Sequence, residues 1–499
     1  MAEYFVPEIQ DKIETPALAV GTMAHLHPYP AVDKHMAPLG FPGTRVENWQ
    51  EKGIEKLGEM LKKYRSLQVY MDICVKCGAC ADKCHYYLGT QDANNMPVQR
   101  AELMRSVYRR YFTPAGKLFP GVVRAVDFDE ETLQQWFTYF HQCSQCRRCS
   151  VFCPYGIDTA EITMAAREIM DTIGVGHKYS AEIIAKVHEA GNNLGIPKPA
   201  LRGTLDFLES DMLETTGHEV RLPLDEEGAD VLLVAPSADF FSEPHILSLM
   251  GYAKVFHQSG IRYTISSIGA EAANFGMFIG SYEQKKKIAQ RIADQARALK
   301  VKRIVVGECG HAWRVAYSFW NTLNGPFDFL DPKYPAPQHM CEFTYDLLKR
   351  GALTLDKEAN DEYVVTMHDS CNVARASRMG EQAGGQFEIP RALIRASCHH
   401  FVEMDPETTH EKTFCCGGGG GTLTDELMDL RIRGAMPRVT ALKQVMKRDK
   451  VNFMALICAI CKAQFTKILP MYHIPMETVG GVHQLVSNAI QLGAKKGIV

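Results

Sequence analysis

The 499-residue sequence has no run of eighteen or more uncharged apolar residues; its longest apolar stretches are broken by Asp, Glu, Lys or His. A bilayer-crossing helix needs about 20 such residues, so no direct membrane span is expected. The sequence also lacks a block of Lys and Arg, and 55 basic against 58 acidic side chains leave a formal net charge of -3. Without a basic field, nucleic acid is excluded as a partner. The opening stretch Met1–Lys12 has neither the basic nor the apolar region of a secretory signal, which points to the cytoplasm. No Gly-x-Gly-x-x-Gly follows a strand pattern, so no flavin is expected on this chain.

Cysteine is what the sequence has in excess: sixteen residues. In a cytoplasmic setting that number calls for metal or redox chemistry rather than disulfide staples. Eight fall in two tight tetrads, Cys74-x2-Cys77-x2-Cys80-x3-Cys84 and Cys143-x2-Cys146-x2-Cys149-x3-Cys153-Pro154. Three thiolates at x2 steps wrap one corner of a cubane 4Fe-4S cluster, and the fourth leaves to reach the other cluster. By that crossing, Cys74, Cys77, Cys80 and Cys153 hold one cubane, and Cys143, Cys146, Cys149 and Cys84 hold the second. A pair of zinc sites is the alternative, but zinc sites usually come as separated cysteine pairs. His85 stands where a proline is expected after Cys84, and fifty-eight residues separate the tetrads. The text between them is helical in pattern over 98–111 and 128–141, so a helical ferredoxin-like domain is expected rather than a small β-hairpin ferredoxin.

Five more cysteines form a late constellation, Cys371-x43-Cys415-Cys416-x41-Cys458-x2-Cys461. Two adjacent cysteines followed by Gly417, Gly418, Gly419, Gly420 and Gly421 carry a high backbone-entropy cost. A side-chain-free run offsets it when backbone N–H groups must approach sulfide or thiolate, as glycine loops approach phosphate. The bland alternative is a flexible linker with two chance cysteines before it. Cys309, Cys341 and Cys398 remain; Cys341 and Cys398 read as structural, although Cys398, beside His399 and His400, rivals Cys371 as a fifth ligand.

A chain this long needs two or three domains. Residues 1–50, rich in Pro, His and Gly, read as an extended N-terminal arm, and 51–220 as the helical ferredoxin-like domain. From Asp230-Val-Leu-Leu-Val-Ala-Pro onward, apolar strand runs alternate with helical patterns, which is α/β architecture with a mainly parallel sheet. Strands are expected at 263–267, 301–307, 363–367 and 452–457; helices at 282–299, from near Pro390, and at 424–446. Residues 221–350 and 351–499 look like a duplication, with Ile304-Val-Val-Gly-Glu308-Cys309-Gly310-His311 answering Ala455-Leu-Ile-Cys458-Ala-Ile-Cys461. The first copy has lost nearly all its cysteines. The fold class is therefore α+β multidomain: a helical ferredoxin-like part, then a duplicated α/β part.

Cys-Cys-Gly with Gly-rich text after it, His368-Asp369-Ser370-Cys371 upstream and Cys458-x2-Cys461 downstream resembles the cysteine-rich CCG domain of heterodisulfide reductase catalytic subunits. Joined to two N-terminal tetrads it resembles the HdrD type, and with the degenerate Glu308-Cys309-Gly310-His311-Ala312-Trp313-Arg314 it is most similar to the DsrK type, the catalytic iron–sulfur subunit of the DsrMKJOP complex of dissimilatory sulfur metabolism. The resemblance implies a noncubane 4Fe-4S cluster held by Cys371, Cys415, Cys416, Cys458 and Cys461 in the second half. It also implies a disulfide or trisulfide substrate on a DsrC-like protein, and electrons exchanged with the quinone pool through a DsrM-like cytochrome b subunit. The chain would then sit peripherally at the inner face of the cytoplasmic membrane through its partner subunits. Cleaving S–S takes two electrons whereas cubanes deliver one at a time, so the site must hold a half-reduced sulfur species. His368, Asp369 and His311 lie near the expected ligand loops as proton donors, and Cys309 as a relic ligand or redox-active thiol. The other reading is the iron–sulfur electron-transfer subunit of a glycolate or lactate oxidase, or of a quinone-linked glycerol-3-phosphate dehydrogenase.

Overall fold

The computed structural model describes residues 33–272 and 274–493, so residues 1–32 of the expected arm lie outside the described residues. The chain forms two compact units. Among the described residues, the first comprises 33–185 together with Phe275–Tyr282 and Phe414–Thr440; the second comprises 186–272, Asn274, Glu283–Thr413 and 441–493.

The first unit is helical. Trp49–Lys63 buries Trp49, Gly53, Leu57, Met60 and Leu61, the spacing of one helix face. Gly53 is required there, because a Cβ would stand 2.6 Å from the Phe128 ring. Pro97 opens Pro97–Phe112 at the position where a missing N–H costs nothing. Asp129 caps Glu130–His141 by accepting from the Thr132 N–H, and Asp158 caps Thr159–Thr172 through the Ala160 N–H. These helices share one core, in which Met104, Leu133, Trp136, Phe140, Ile162 and Ile169 are buried. The two helices expected between the tetrads are both present.

The second unit carries two parallel sheets, one in each half of the expected duplication. In the first, β1 (Val231–Val234), β2 (Tyr263–Ile265), β3 (Arg303–Val306) and β4 (Gln338–His339) lie in the order β2-β1-β3-β4. In the second, β5 (Val365–His368), β6 (Phe453–Leu456) and β7 (Val479–Gly481) lie in the order β5-β6-β7. A parallel bridge from Val365 to Phe401 occupies on β5 the place that β2 has on β1. The two halves thus repeat one topology. β1, β5 and β6 are buried at every residue, which is why they read as unbroken apolar runs. One helix starts earlier than expected: Gly385–Ser397 contains Pro390 rather than beginning beside it. Gly384, left-handed at φ 84°, caps that start, and the helix forfeits the one hydrogen bond Pro390 has no N–H to make.

Candidate iron–sulfur and thiol site

The two tetrads share one local device. In the first, Lys76 and Gly78 have φ of 56° and 80°; in the second, the equivalent Gln145 and Arg147 have 55° and 61°. Left-handed residues inside each x2 gap turn the chain so that successive cysteines and N–H groups face one side, a concavity suited to an anionic cluster. Cys74, Cys77, Cys80 and Cys153 line one cavity, which Cys149 also borders. Cys84, Cys143, Cys146 and Cys149 line another, together with Arg100 and Arg147. Cys77 is exposed and Cys84 buried. Burial pushes the Cys80 thiol up to about 11 and Cys149 up to about 12, a bias that a bound metal ion reverses. Arg100 is buried and hydrogen-bonded to Cys84; the Cys143, Cys84 and Cys149 sulfurs raise its pKa against the effect of burial. That cation offsets part of the negative charge such a thiolate set would concentrate.

The Cys-Cys-Gly loop is built against the second tetrad. Gly417, Gly420 and Gly421 are left-handed, at φ of 90°, 65° and 87°. At Gly420 a Cβ would stand 2.7 Å from the Ser144 carbonyl carbon and 2.8 Å from the Cys143 oxygen. The N–H groups of Gly417 and Gly418 lie 3.4 and 3.5 Å from the sulfurs of Cys415 and Cys416. Buried Arg167 donates to the carbonyls of Cys143 at 2.9 Å, Phe140 at 2.7 Å, Phe278 at 2.7 Å and Gly420 at 2.6 Å. Tyr86, two residues after Cys84, donates its hydroxyl to the Gly417 carbonyl at 2.9 Å. His85 donates Nδ1–H to the Gly434 carbonyl, so its Nε2 accepts from Ser144 Oγ, both at 2.8 Å. The residue found in place of the expected proline is therefore a tie between the second tetrad and the helix Met428–Asp449.

In the second unit, Cys309, Cys371, Cys458 and Cys461 are all buried on loops or helix starts after the carboxyl ends of β3, β5 and β6. That is where open α/β sheets place ligands. Cys458 stands at the N-cap position of Ala459–Ile468, and Cys309 caps Gly310–Val315 by accepting from the Ala312 N–H. Burial opposes ionisation of Cys458, yet hydrogen bonds from Cys309, Cys461 and His311 hold it well below the ordinary thiol range. The partner thiol, Cys309, is pushed up by that same bond and by burial. His311 Nδ1 is 3.8 Å from Cys458 Sγ.

Asp369 is fixed rather than free to donate a proton. Its carboxylate takes both Arg391 terminal nitrogens, at 2.8 and 2.9 Å, and the His410 N–H at 2.8 Å. Burial would raise its pKa, and these partners hold it lowered instead. His368, the last residue of β5, is buried with its ring edge-on to Phe465. Cys398 ends the helix before Phe401, which pairs with the first residue of β5, whereas Cys371 follows the last. The two rivals for fifth ligand therefore lie at opposite ends of that strand.

Sequence reasoning missed a buried polar cluster behind these loops. Lys462 Nζ lies 2.6 Å from Glu308 Oε2 and 2.6 Å from Ser248 Oγ, with neither Lys462 nor Glu308 exposed at all. The other Glu308 oxygen accepts from the His483 N–H and Nδ1, each at 2.8 Å. The visible signal was a charged residue directly beside a cysteine in each half, Glu308 before Cys309 and Lys462 after Cys461. Arg167 was equally visible, a lone cation on the buried face of an apolar helix.

A family model for the 4Fe-4S dicluster domain matches residues 70–157, and one for the cysteine-rich domain matches residues 365–466. The Hdr-like menaquinol oxidoreductase iron-sulfur subunit 2 of Archaeoglobus fulgidus is 40% identical over 497 residues, covering 94% of this chain and 87% of the relative. This chain belongs to that Hdr-like menaquinol oxidoreductase iron–sulfur subunit family. The corresponding subunit of Archaeoglobus profundus is 41% identical over 478 residues, 90% of this chain and 84% of its own. A more distant relative, one of the subunits of the dihydromethanophenazine:CoB–CoM heterodisulfide reductase of Methanosarcina mazei, is 24% identical over 435 residues, 85% of this chain and 95% of its own. The Hdr-like chain is thus an iron–sulfur oxidoreductase subunit, and among its described residues no helix is long and apolar enough to cross a membrane.

Proposed function

We propose that this Hdr-like chain is the catalytic iron–sulfur subunit, of DsrK type, in a membrane-associated redox complex of dissimilatory sulfur metabolism. It reduces or forms a disulfide or trisulfide on a small DsrC-like protein and exchanges electrons with the quinone pool through a DsrM-like cytochrome b subunit and other DsrMKJOP-type partners. Its place is the inner face of the cytoplasmic membrane. Cys74, Cys77, Cys80 and Cys153 would hold one cubane, and Cys84, Cys143, Cys146 and Cys149 the other. Cys371, Cys415, Cys416, Cys458 and Cys461 would hold a noncubane cluster. The placement of Cys398 at the far end of β5 favours Cys371 as the fifth ligand.

The donor set suits such groups: left-handed residues turn each tetrad around one side, and N–H groups point at the Cys415 and Cys416 sulfurs. When bound, the clusters supply electrons one at a time. The observation that carries the reading is the seam between the second tetrad and the Cys-Cys-Gly loop, where Gly420 meets Cys143 and Ser144 backbone to backbone and Arg167 joins both. Exposed Cys77 in the first tetrad, the half-buried Cys143, Cys146 and Cys149 of the second, and the fully buried Cys415 and Cys416 on the loop packed against it give an order for an electron path inward from the surface. Cleavage of R–S–S–R′ consumes two electrons and two protons and releases two thiols, which matches a path that ends on cysteine sulfur.

The test is EPR of the anaerobically purified, oxidised protein with and without a thiol substrate, together with turnover of a disulfide donor. A new S = 1/2 signal that appears only with thiol, and reduction of the donor, are expected. A spectrum indifferent to thiol and no disulfide turnover would reduce the chain to an electron relay.

A further inference from the structure

The motif Glu308-Cys309-Gly310-His311-Ala312-Trp313-Arg314 looks, in sequence, like the remnant of a lost ligand loop. Hydrogen-bond roles give it a definite task. A guanidinium only donates, and Arg314 Nη1 lies 2.9 Å from Asn372 Oδ1. The Asn372 oxygen therefore faces Arg314, and its Nδ2 faces the other way, 2.9 Å from His311 Nε2 and 3.5 Å from Cys371 Sγ. An amide NH2 also only donates, so Nε2 is the accepting ring nitrogen and His311 is neutral. The ring proton is then on Nδ1, the atom 3.8 Å from Cys458 Sγ. Arg314, Asn372, His311 and Cys458 are each 2% exposed or less, so solvent does not compete for these bonds.

Gly310 makes the approach possible. A Cβ there would fall 2.1 Å from Ser370 Oγ, 3.1 Å from Ser370 Cβ and 3.3 Å from a Val373 methyl, so glycine lets Gly310–Val315 approach Ser370 and the start of Cys371–Ala376 without displacing them. Burial of Glu308 against Lys462 and His483 fixes the other side of the loop.

We infer that Arg314, Asn372 and His311 are positioning residues that aim one neutral N–H at the Cys458 sulfur and thereby raise the reduction potential of the centre Cys458 would hold. The inference rests on the ligand role proposed above for Cys458. A hydrogen bond to a thiolate ligand draws charge from the sulfur and favours the more negative, reduced state. In a buried site of low dielectric the effect is enlarged. The first half of the duplication, on this reading, tunes the site whose ligands the second half provides.

The experiment is an EPR-monitored redox titration of the full-length protein, purified anaerobically, as wild type and as H311F, H311Q, N372L and R314M. H311F is expected to lower the reduction equilibrium constant of the thiol-rich centre about tenfold, which is 59 mV for a one-electron couple. N372L and R314M, which release the ring or the amide while leaving every cysteine in place, are expected to lower it in the same direction. H311Q keeps an amide N–H donor and is expected to recover part of the loss. The two N-terminal centres should not move in any variant. An unchanged potential in H311F, or in both N372L and R314M should H311F fail to assemble, overturns the relay; so does an equal shift in all three centres. A wild type that holds only the two N-terminal centres sinks the proposed ligand set and the relay together, whereas a third centre indifferent to these substitutions sinks the relay alone.

Discussion

At the scale of single residues, one contact outside the cysteines that resists one-sided change is the Lys462–Glu308 pair, fully buried and backed by Ser248 and His483. Burial would raise the Glu308 pKa, but the ammonium and the imidazole overcome it and hold the carboxyl well below the ordinary range. Neither charge can reach water, so removing one partner strands the other. Lys462→Met is expected to cost about 3–5 kcal/mol of unfolding free energy, and adding Glu308→Gln should return much of that, because two neutral groups of similar size pack where a buried carboxylate deprived of its ammonium does not. Anaerobic denaturant titration of the two single variants and the double variant checks this; additive losses would mean the pair does not act as a unit. The sequence showed both residues but not their meeting, since Glu308 and Lys462 stand 154 positions apart. Separation along the chain likewise hid Asn372 from His311.

At the scale of elements, glycine's use differs from place to place, and the difference is measurable. Gly420 is left-handed and pressed on the Cys143–Ser144 backbone, so Gly420→Ala is expected to cost at least ~1–2 kcal/mol for the backbone alone and to disturb the EPR signal of the second cubane site. Gly203 lies exposed in the helix Lys198–Thr216 with nothing near a would-be Cβ, so Gly203→Ala is expected to stabilise by roughly 0.5–1 kcal/mol and leave every signal unchanged. Thermal melts with parallel EPR read both. Elements also divide by how legible they were. The tetrads and the strands β1, β3, β5 and β6 announce themselves through spacing and through apolar runs. β4 spans two residues and β7 is Val-Gly-Gly, too short and too glycine-rich for any periodicity to register. Pro390 marked a helix but misplaced its start, because a proline's usual position is the first turn.

At the scale of the whole molecule, the fold class and the duplication were legible, and the compact units were not. Phe275–Tyr282 and Phe414–Thr440 join the unit built around the tetrads although they follow it by many residues, and only tertiary contacts such as those of Arg167 with Phe278 and Gly420 reveal it. Tertiary structure also sets a response to acid that composition does not show. His245 donates Nε2–H to the Ala459 carbonyl at 2.8 Å, and burial, aided by the Lys462 charge, lowers it to about 4. His339 uses Nδ1 to accept the Cys341 N–H at 3.1 Å, and burial lowers it to about 3. Protonating that nitrogen would remove the acceptor that caps Met340–Lys349. Unfolded, each histidine binds a proton near its ordinary pKa of about 6.5; folded, each stays neutral until pH 4 or below. At these two sites the unfolded state thus holds more protons as pH falls below 6.5, and the stability they contribute falls with it, by at most about 1.4 kcal/mol per pH unit for each histidine. Anaerobic denaturant midpoints are expected to be level between pH 7 and 8 and to decline from 6.5 to 5. His339→Asn keeps a capping acceptor but cannot titrate, so its decline should be shallower by one proton; an unchanged slope would place the acid sensitivity elsewhere.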